Sequence, residues 1–287
     1  MIGKTLRLIR EGKGFTLRSI SQDIVSPSQL SKIENNTQVP NVDTFFHLLY
    51  RMNVTFDEFC LLTDDEYIST RTTLSSQIGE VLRKRNVPSM KRLIASLEAF
   101  HEKYHDPYFL HAKRILKAHI WIITENNFVK AQEEVAEIAD YLFSIDDWFY
   151  YELALLNNTL FFFKINIAIE LGDNALKQIE AQYNMFKDNE ASRKLLNNLA
   201  VHTLKDERYY MNSYRYSSTA IGLPQSTQHI YSTIFAKITN QVACFKLQNG
   251  EYNPECLANL IQLFSLINMD DIHNECQVFV KEHGIHL

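Results

Sequence analysis

Residues 26 to 36 read SPSQLSKIENN, and this stretch decides how the rest of the chain is understood. The Ser26 hydroxyl can cap a helix, Pro27 suits the first helical position, where its missing N–H costs nothing, and Gln29 stands where a capping box is completed. The stretch therefore opens a short helix. Its apolar positions, Leu30 and Ile33, are three apart, which leaves Ser28, Gln29, Ser31 and Lys32 pointing away from the buried stripe. That outward set suits a nucleic-acid duplex. Glutamine pairs bidentately with adenine, serine bonds base edges or phosphates, and lysine reaches phosphates or guanine. Read alone, the stretch is equally an ordinary capped amphipathic helix, so its surroundings decide.

Upstream, Phe15, Ile20 and Ile24 supply core for a preceding helix that Thr16 can cap. Downstream, Val39 and Pro40 end the turn, and Asn41 can cap a fourth helix carrying Phe45, Phe46, Leu48, Leu49 and Met52. Val54, Phe56 and Phe59 then close a bundle of about five helices. Residues 1 to 32 hold Lys4, Arg7, Arg10, Lys13, Arg18 and Lys32 against Glu11 and Asp23, a local charge of +4 in a chain whose net charge is −5. Phosphate contacts depend on local charge, so an acidic remainder is compatible with DNA binding. The expected contacts are Ser28, Gln29 and Lys32 in the major groove, with Ser26, Pro27 and Ser31 beside them and Arg10, Thr16 and Arg18 on phosphates. Gln29 cannot fully cap its helix and read a base at once.

The order of elements from LRLIREGKGFTLRSIS through SPSQLSKIENN to PNVDTFFHLL resembles the phage-repressor-like helix-turn-helix class. It is more similar still to the N-terminus of Rgg-type regulators of Gram-positive bacteria. The broad class usually has a glycine in the turn before the recognition helix. Here Ile20 to Glu34 is one residue shorter and no glycine stands between Asp23 and Ser26, as in the Rgg branch. Asn36 replaces a glycine common after the recognition helix, and asparagine tolerates the left-handed conformation nearly as well. The resemblance is specific over roughly the first 60 residues and architectural beyond them.

Eight glycines and six prolines in 287 residues are too few for a sandwich, barrel or doubly wound sheet, and a 46% hydrophobic content is ample for a packed core. The expected fold is all-α. Composition shifts at Leu62–Ser69, LTDDEYIS, which suggests a helix-turn-helix domain over 1–64, a linker helix over 65–87 and a helical repeat domain over 88–287. Helices of about 15 to 24 residues follow, with breaks expected from Asn86–Ser89 to Asn268–Asp271, including Leu171–Asp173 and Asp188–Glu190. Leu155-Leu156-Asn157-Asn158-Thr159-Leu160 echoes as Leu195-Leu196-Asn197-Asn198-Leu199-Ala200, 40 residues on, a period typical of stacked helix pairs.

Asparagine is a poor helix-interior residue, yet its amide matches a peptide unit donor for acceptor. Asn157, Asn158, Asn197 and Asn198 could thus clamp an extended peptide, or could bond neighbouring helix backbones instead. The Rgg resemblance implies the first. Rgg-type regulators belong to the peptide-sensing RRNPP group, in which a tetratricopeptide-like solenoid holds a short, hydrophobic, secreted signalling peptide in its concave face, with Asn side chains on the peptide main chain. Lys117 and Lys237, one period to either side, could meet an acidic side chain or the peptide carboxylate. The aromatic runs Trp148–Tyr151 and Phe161–Phe163 could wall such a groove or fill the core.

His101-Glu102-Lys103-Tyr104-His105 is a literal H-E-x-x-H, with Glu125 twenty residues beyond His105, and a zinc hydrolase is the enzymatic alternative. Asp106-Pro107 ends the helix directly behind it and Lys103 puts a cation beside the metal, so a solvated helix end is the plainer reading. No phosphate loop, nucleophile elbow or Cys/His pattern occurs elsewhere, and no cofactor or metal is expected. Cys60, Cys244, Cys256 and Cys276 lack metal-ligand spacing and fit a reducing cytoplasm, and no segment suits secretion or a membrane span. Ten histidines permit a pH input. The sequence thus suggests a cytoplasmic, peptide-responsive regulator of promoter DNA. A homodimer is expected because two recognition helices roughly 34 to 36 Å apart read two half-sites. A helical scaffold targeted to DNA is the alternative.

Overall fold

Short polar side chains set where the helices begin. In the computed structural model, which describes residues 2–181, 190–224 and 229–286, Thr16, Ser26, Asn41, Thr55, Asp65, Asn86, Asn127 and Asn253 each accept a hydrogen bond from the backbone N–H three residues on. Each satisfies a donor that a helix N-terminus leaves orphaned. The ends are managed with little glycine. Asn36, Asn53, Arg85, His105, Asn126, Gln248 and Asn268 all take positive φ just beyond a helix, a conformation in which asparagine is tolerated best. A chain with so few glycines can therefore turn often.

Among the described residues the chain is all-α, with no strand. It packs as two compact units, Met1–Leu110 and His111–Leu287. The first holds α1 (Ile2–Gly12), α2 (Leu17–Ser21), α3 (Pro27–Glu34), α4 (Val42–Arg51), α5 (Phe56–Leu62), α6 (Glu66–Arg83) and α7 (Val87–Tyr104). The first five form a helix-turn-helix bundle around Leu6, Ile9, Ile20, Leu30, Ile33, Leu48, Leu49, Met52, Val54 and Phe59, with Phe15, Ile24 and Phe45 packed against that core. The division between the units falls within α8 (Pro107–Glu125).

The second unit continues with α9 (Phe128–Ser144), α10 (Tyr150–Thr159), which runs on as a 3-10 turn over Leu160–Phe162, α11 (Ile165–Ala181), α12 (Glu190–Thr203), α13 (Tyr210–Gly222), α14 (Ile230–Leu247), α15 (Pro254–Leu266) and α16 (Asp270–Glu282). Helix α12 touches not only α11 and α13 but also α10 and α14. Contact with both the nearest and the second-nearest helix is what stacked helix pairs produce. At the C-terminal end Leu204, Ile238, Val242, Leu257, Ile261, Phe264 and Val280 join α14, α15 and α16 in one core.

One expected break is placed differently and another falls largely outside the described residues. Leu171–Asp173 is not a turn but lies inside α11, and the chain breaks instead at Phe163–Lys164. Gly172 is a packing notch: a Cβ there would stand 2.7 Å from Leu199 Cδ2 and 3.0 Å from the Tyr216 hydroxyl. Tyr216 in turn donates to Asp173 Oδ1 at 2.6 Å. At Asp188–Glu190, the first two residues lie outside the described residues and Glu190 begins α12.

Candidate functional sites

Helix α3 is built as its sequence demands. Leu30 and Ile33 are fully buried, and the Ser26 hydroxyl accepts from the Gln29 N–H at 3.1 Å. The Gln29 amide makes no return bond, so the reciprocal capping box is absent. Ser28 turns its hydroxyl to Ser26 Oγ at 3.0 Å instead. The expected competition between capping and reading therefore does not arise, and the Gln29 amide has no hydrogen-bond partner among the described residues. Ser28, Pro27 and Lys32 are exposed, while Gln29 and Ser31 are half-buried. The glycine-free turn before α3 is made by Asp23 at φ 61°, and the one after it by Asn36 at φ 57°.

The cations of the first 32 residues divide into two sets. Arg10, expected on a phosphate, is corrected: it is only 8% exposed and forks onto Glu34, Nε to Oε1 at 2.6 Å and Nη2 to Oε2 at 2.8 Å, while Nη1 donates to the Phe15 carbonyl at 2.8 Å. A guanidinium held on three acceptors inside the bundle is not free for a phosphate. Lys13 donates to the carbonyls of Met52 and Asn53 at the end of α4, at 2.8 and 3.0 Å, and Arg7 pairs with Glu11. Lys4, Arg18 and Lys32 are exposed and donate no hydrogen bond within the described residues. Thr16 is exposed too, its hydroxyl capping α2 through the Ser19 N–H at 3.1 Å.

In the second unit the two Asn pairs do come together, one residue out of the expected register. Asn198 Nδ2 donates to Asn157 Oδ1 at 2.9 Å, bridging α12 to α10. The other two take the alternative reading. Asn197, 4% exposed, donates to the Ser232 carbonyl of α14 at 2.8 Å, and Asn158 bonds back to the Ala154 carbonyl of its own helix at 2.8 Å. Asn197 is therefore corrected from a ligand contact to a fold contact, while Asn158 stays exposed beside the bridge. Lys117 is half-buried on α8 and Lys237 exposed on α14, and no hydrogen bond joins either to the bridge. Of the aromatic runs, Trp148, Phe162 and Phe163 are core, while Phe149, Tyr150 and Phe161 keep exposed faces.

One residue escaped the sequence reading. His202 lies one turn beyond Asn198, is 6% exposed, and has neither ring nitrogen paired within the described residues. Burial and the nearby Lys205 ammonium push its pKa down to about 4. Its only sequence signal was its position four residues after Asn198. At the H-E-x-x-H stretch the geometry does not favour the zinc alternative. His105 has left α7 and terminates it at φ 51°, so the two imidazoles lose the one-turn helical spacing that zinc binding uses. His101 Nδ1 lies 3.1 Å from the Asp106 carbonyl and Lys103 pairs with Glu66. Among the described residues, no group of three or more His, Cys, Asp or Glu side chains could hold a metal. No helix of the described residues is long and apolar enough to cross a membrane.

Residues 95–278 match the family model described as the C-terminal domain of the HTH-type transcriptional regulator Rgg, and residues 3–64 match a helix-turn-helix domain model. Among solved structures, the chain is similar to the SHP pheromone receptor Rgg2 of Streptococcus dysgalactiae, at 21% identity over 98% of this chain and 99% of that one, with a TM-score of 0.73. It is also similar to Bacillus thuringiensis PlcR in complex with the peptide PapR7 and DNA, at 16% identity over 96% and 98% of the two chains, with a TM-score of 0.65. A third is ComR from S. thermophilus in complex with DNA and its signalling peptide ComS, at 14% identity over 99% and 100%, with a TM-score of 0.60. At these identities the likeness shows the fold.

Proposed function

The chain belongs to the Rgg family of helix-turn-helix transcriptional regulators, and from that premise we propose that it acts in the cytoplasm as a homodimer that binds promoter DNA under the control of a short apolar signalling peptide. The observation that carries the DNA half is the outer face of α3. A buried apolar core lies behind it, and Ser28, the Gln29 amide and the Lys32 ammonium, the last two without a hydrogen-bond partner among the described residues, lie in front. These groups enter the major groove, with Ser26, Pro27 and Ser31 beside them at the helix N-terminus and Thr16 and Arg18 on the flanking phosphates. Two copies are needed because one short helix reads few base pairs.

The peptide half rests on Asn157 and Asn198. Their mutual hydrogen bond joins two contacting helices and leaves Asn157 Nδ2 as a donor and Asn198 Oδ1 as an acceptor, together the complement of one peptide unit. Lys117 and Lys237, one sequence period to either side, would supply the cations for an acidic group of such a peptide. The peptides of PlcR and ComR make the same class of ligand reasonable here. Binding favours one arrangement of the helix stack over another and so shifts the population of DNA-competent dimers.

The test is native mass spectrometry of the full-length protein, before and after incubation with size-filtered culture medium of the source organism, and with a duplex that the protein selects from a random pool. A dimer that retains the duplex and gains a peptide-sized mass, lost in a folded Asn157→Ala/Asn198→Ala variant, is the expected result. A dimer on DNA that never gains such a mass would leave a DNA-targeted helical scaffold as the better reading.

A further inference from the structure

The helix pair that carries the amide bridge carries a second contact one turn further on. Phe161 follows Asn157 by four residues and His202 follows Asn198 by four, and the two rings meet edge to face with centroids 5.4 Å apart at 87°. Asn157 meets Asn198, and Phe161 meets His202, so the same two faces are joined in two tiers. The second tier holds a buried group that its surroundings do not satisfy. A neutral imidazole has one N–H donor and one lone-pair acceptor, and both ring nitrogens of His202 are buried without a hydrogen-bond partner among the described residues. Leaving buried polar atoms unpaired is costly, and a phenylalanine would fill comparable space beside Phe161 without that cost.

What lies around the imidazole indicates what it would take. Lys205 Nζ stands over the Phe161 ring, 5.4 Å from its centroid, and Lys205 is exposed with no acidic partner among the described residues. Phe161, which covers the imidazole, is itself 39% exposed, so it can be displaced without opening the core. His202 is neutral near pH 7, so it offers an N–H donor without adding a second charge beside Lys205. A donor, a cation and an aromatic face together suit a carboxylate carried on an apolar chain.

We propose that Phe161, His202 and Lys205 form a carboxylate-reading subsite beside the Asn157–Asn198 bridge, in which a carboxylate of the bound peptide displaces the Phe161 ring and takes the His202 N–H and the Lys205 ammonium. The inference rests on the reading that the bridge face binds peptide. An acidic side chain and a free C-terminus supply the same chemistry, and the test separates them.

Full-length protein is titrated by fluorescence anisotropy at pH 7.5 with dye-labelled synthetic octapeptides, chosen from an apolar pool by affinity-selection mass spectrometry. Each is made with a free C-terminal carboxylate, as the C-terminal amide, and as the amide carrying one internal Glu. The carboxylate-bearing form that binds should exceed the plain amide by about tenfold or more, and its identity names the source of the carboxylate. In His202→Phe and in Lys205→Gln the forms should become equal, the plain amide binding as it does to the wild type. Lys205 is exposed, so its variant keeps the test valid if His202→Phe fails to fold. Wild-type protein that binds amide and carboxylate forms alike, or a preference that survives both substitutions, overturns the subsite while leaving the peptide reading intact. Failure of every form to bind, or binding unaffected by Asn157→Ala/Asn198→Ala, overturns the peptide reading and the subsite with it.

Discussion

A side chain at position 3 would have nowhere to go. The Gly3 N–H donates to Asn36 Oδ1 at 3.0 Å, and a Cβ on Gly3 would stand 1.9 Å from the Ile33 carbonyl oxygen and 2.8 Å from Asn36 Oδ1. The first turn of α1 is therefore pressed against the last turn of α3, and Asn36 both makes the left-handed turn and covers an orphaned donor. Gly3→Ala is expected to destabilise the first unit by about 1 to 3 kcal/mol or more, because a backbone carbonyl cannot move aside as a side chain can. Thermal melting checks this, and an unchanged midpoint would mean that α1 and α3 tolerate a shift. Arg10 and Glu34 pose a second question at this scale. Arg10→Met alone would leave a carboxylate 4% exposed with no cation, at a cost of about 3 to 5 kcal/mol, whereas Arg10→Met/Glu34→Leu should recover most of the loss. Urea midpoints of the two variants decide it. A single variant that loses DNA affinity with no loss of stability would return Arg10 to the phosphates.

At the scale of the element, α3 shows why local signals were legible and relational ones were not. Caps at Thr16, Ser26 and Asn41 involve neighbours three residues away, so the sequence displays both partners and these helix starts were readable. Arg10 and Glu34 are 24 residues apart, and nothing in a basic segment says which cation a buried carboxylate will take. The same limit explains the Asn pairs. An echo of 40 residues aligned Asn157 with Asn197, but the packing of α12 on α10 sets a spacing of 41, so Asn198 meets Asn157 and Asn197 turns to α14. Gly172 looked like a turn because sequence cannot distinguish a glycine that bends the chain from one that admits a neighbour. The free amide on α3 leads to a direct prediction. Gln29→Ala should weaken binding to the selected duplex by about 1 to 3 kcal/mol and binding to random duplex very little. Equal losses on both, measured by anisotropy at one salt concentration, would rule out base reading by Gln29.

Across the whole molecule, two charge effects should be measurable in solution. His202 titrates near 4 rather than at its ordinary 6.5, because it is buried and Lys205 lies nearby. The unfolded chain takes up that proton as pH falls through about 6.5, and the folded chain only near 4. Its stabilising contribution is therefore complete above the unfolded value and is lost on acidification between the two, by up to about 3 kcal/mol. His202→Phe should flatten that part of the urea-midpoint profile between pH 7 and 4.5, and parallel profiles for variant and wild type would show that other groups govern it. The second effect concerns the net charge of −5, which repels DNA at long range and leaves attraction to a few local cations. Arg10 and Lys13 hold the bundle together, so Arg18 on α2 and Lys32 on α3 are cations without a hydrogen-bond partner among the described residues. A binder with few phosphate contacts loses affinity gently as salt rises, with a logarithmic slope of about −0.9 per contact on duplex DNA. Arg18→Ala removes one contact from each protomer of a dimer, so the slope should become shallower by about 2, with similar relative losses on selected and random duplexes. A shift of about 1 would indicate that only one protomer lies on the duplex, and an unchanged slope would take Arg18 off the phosphates.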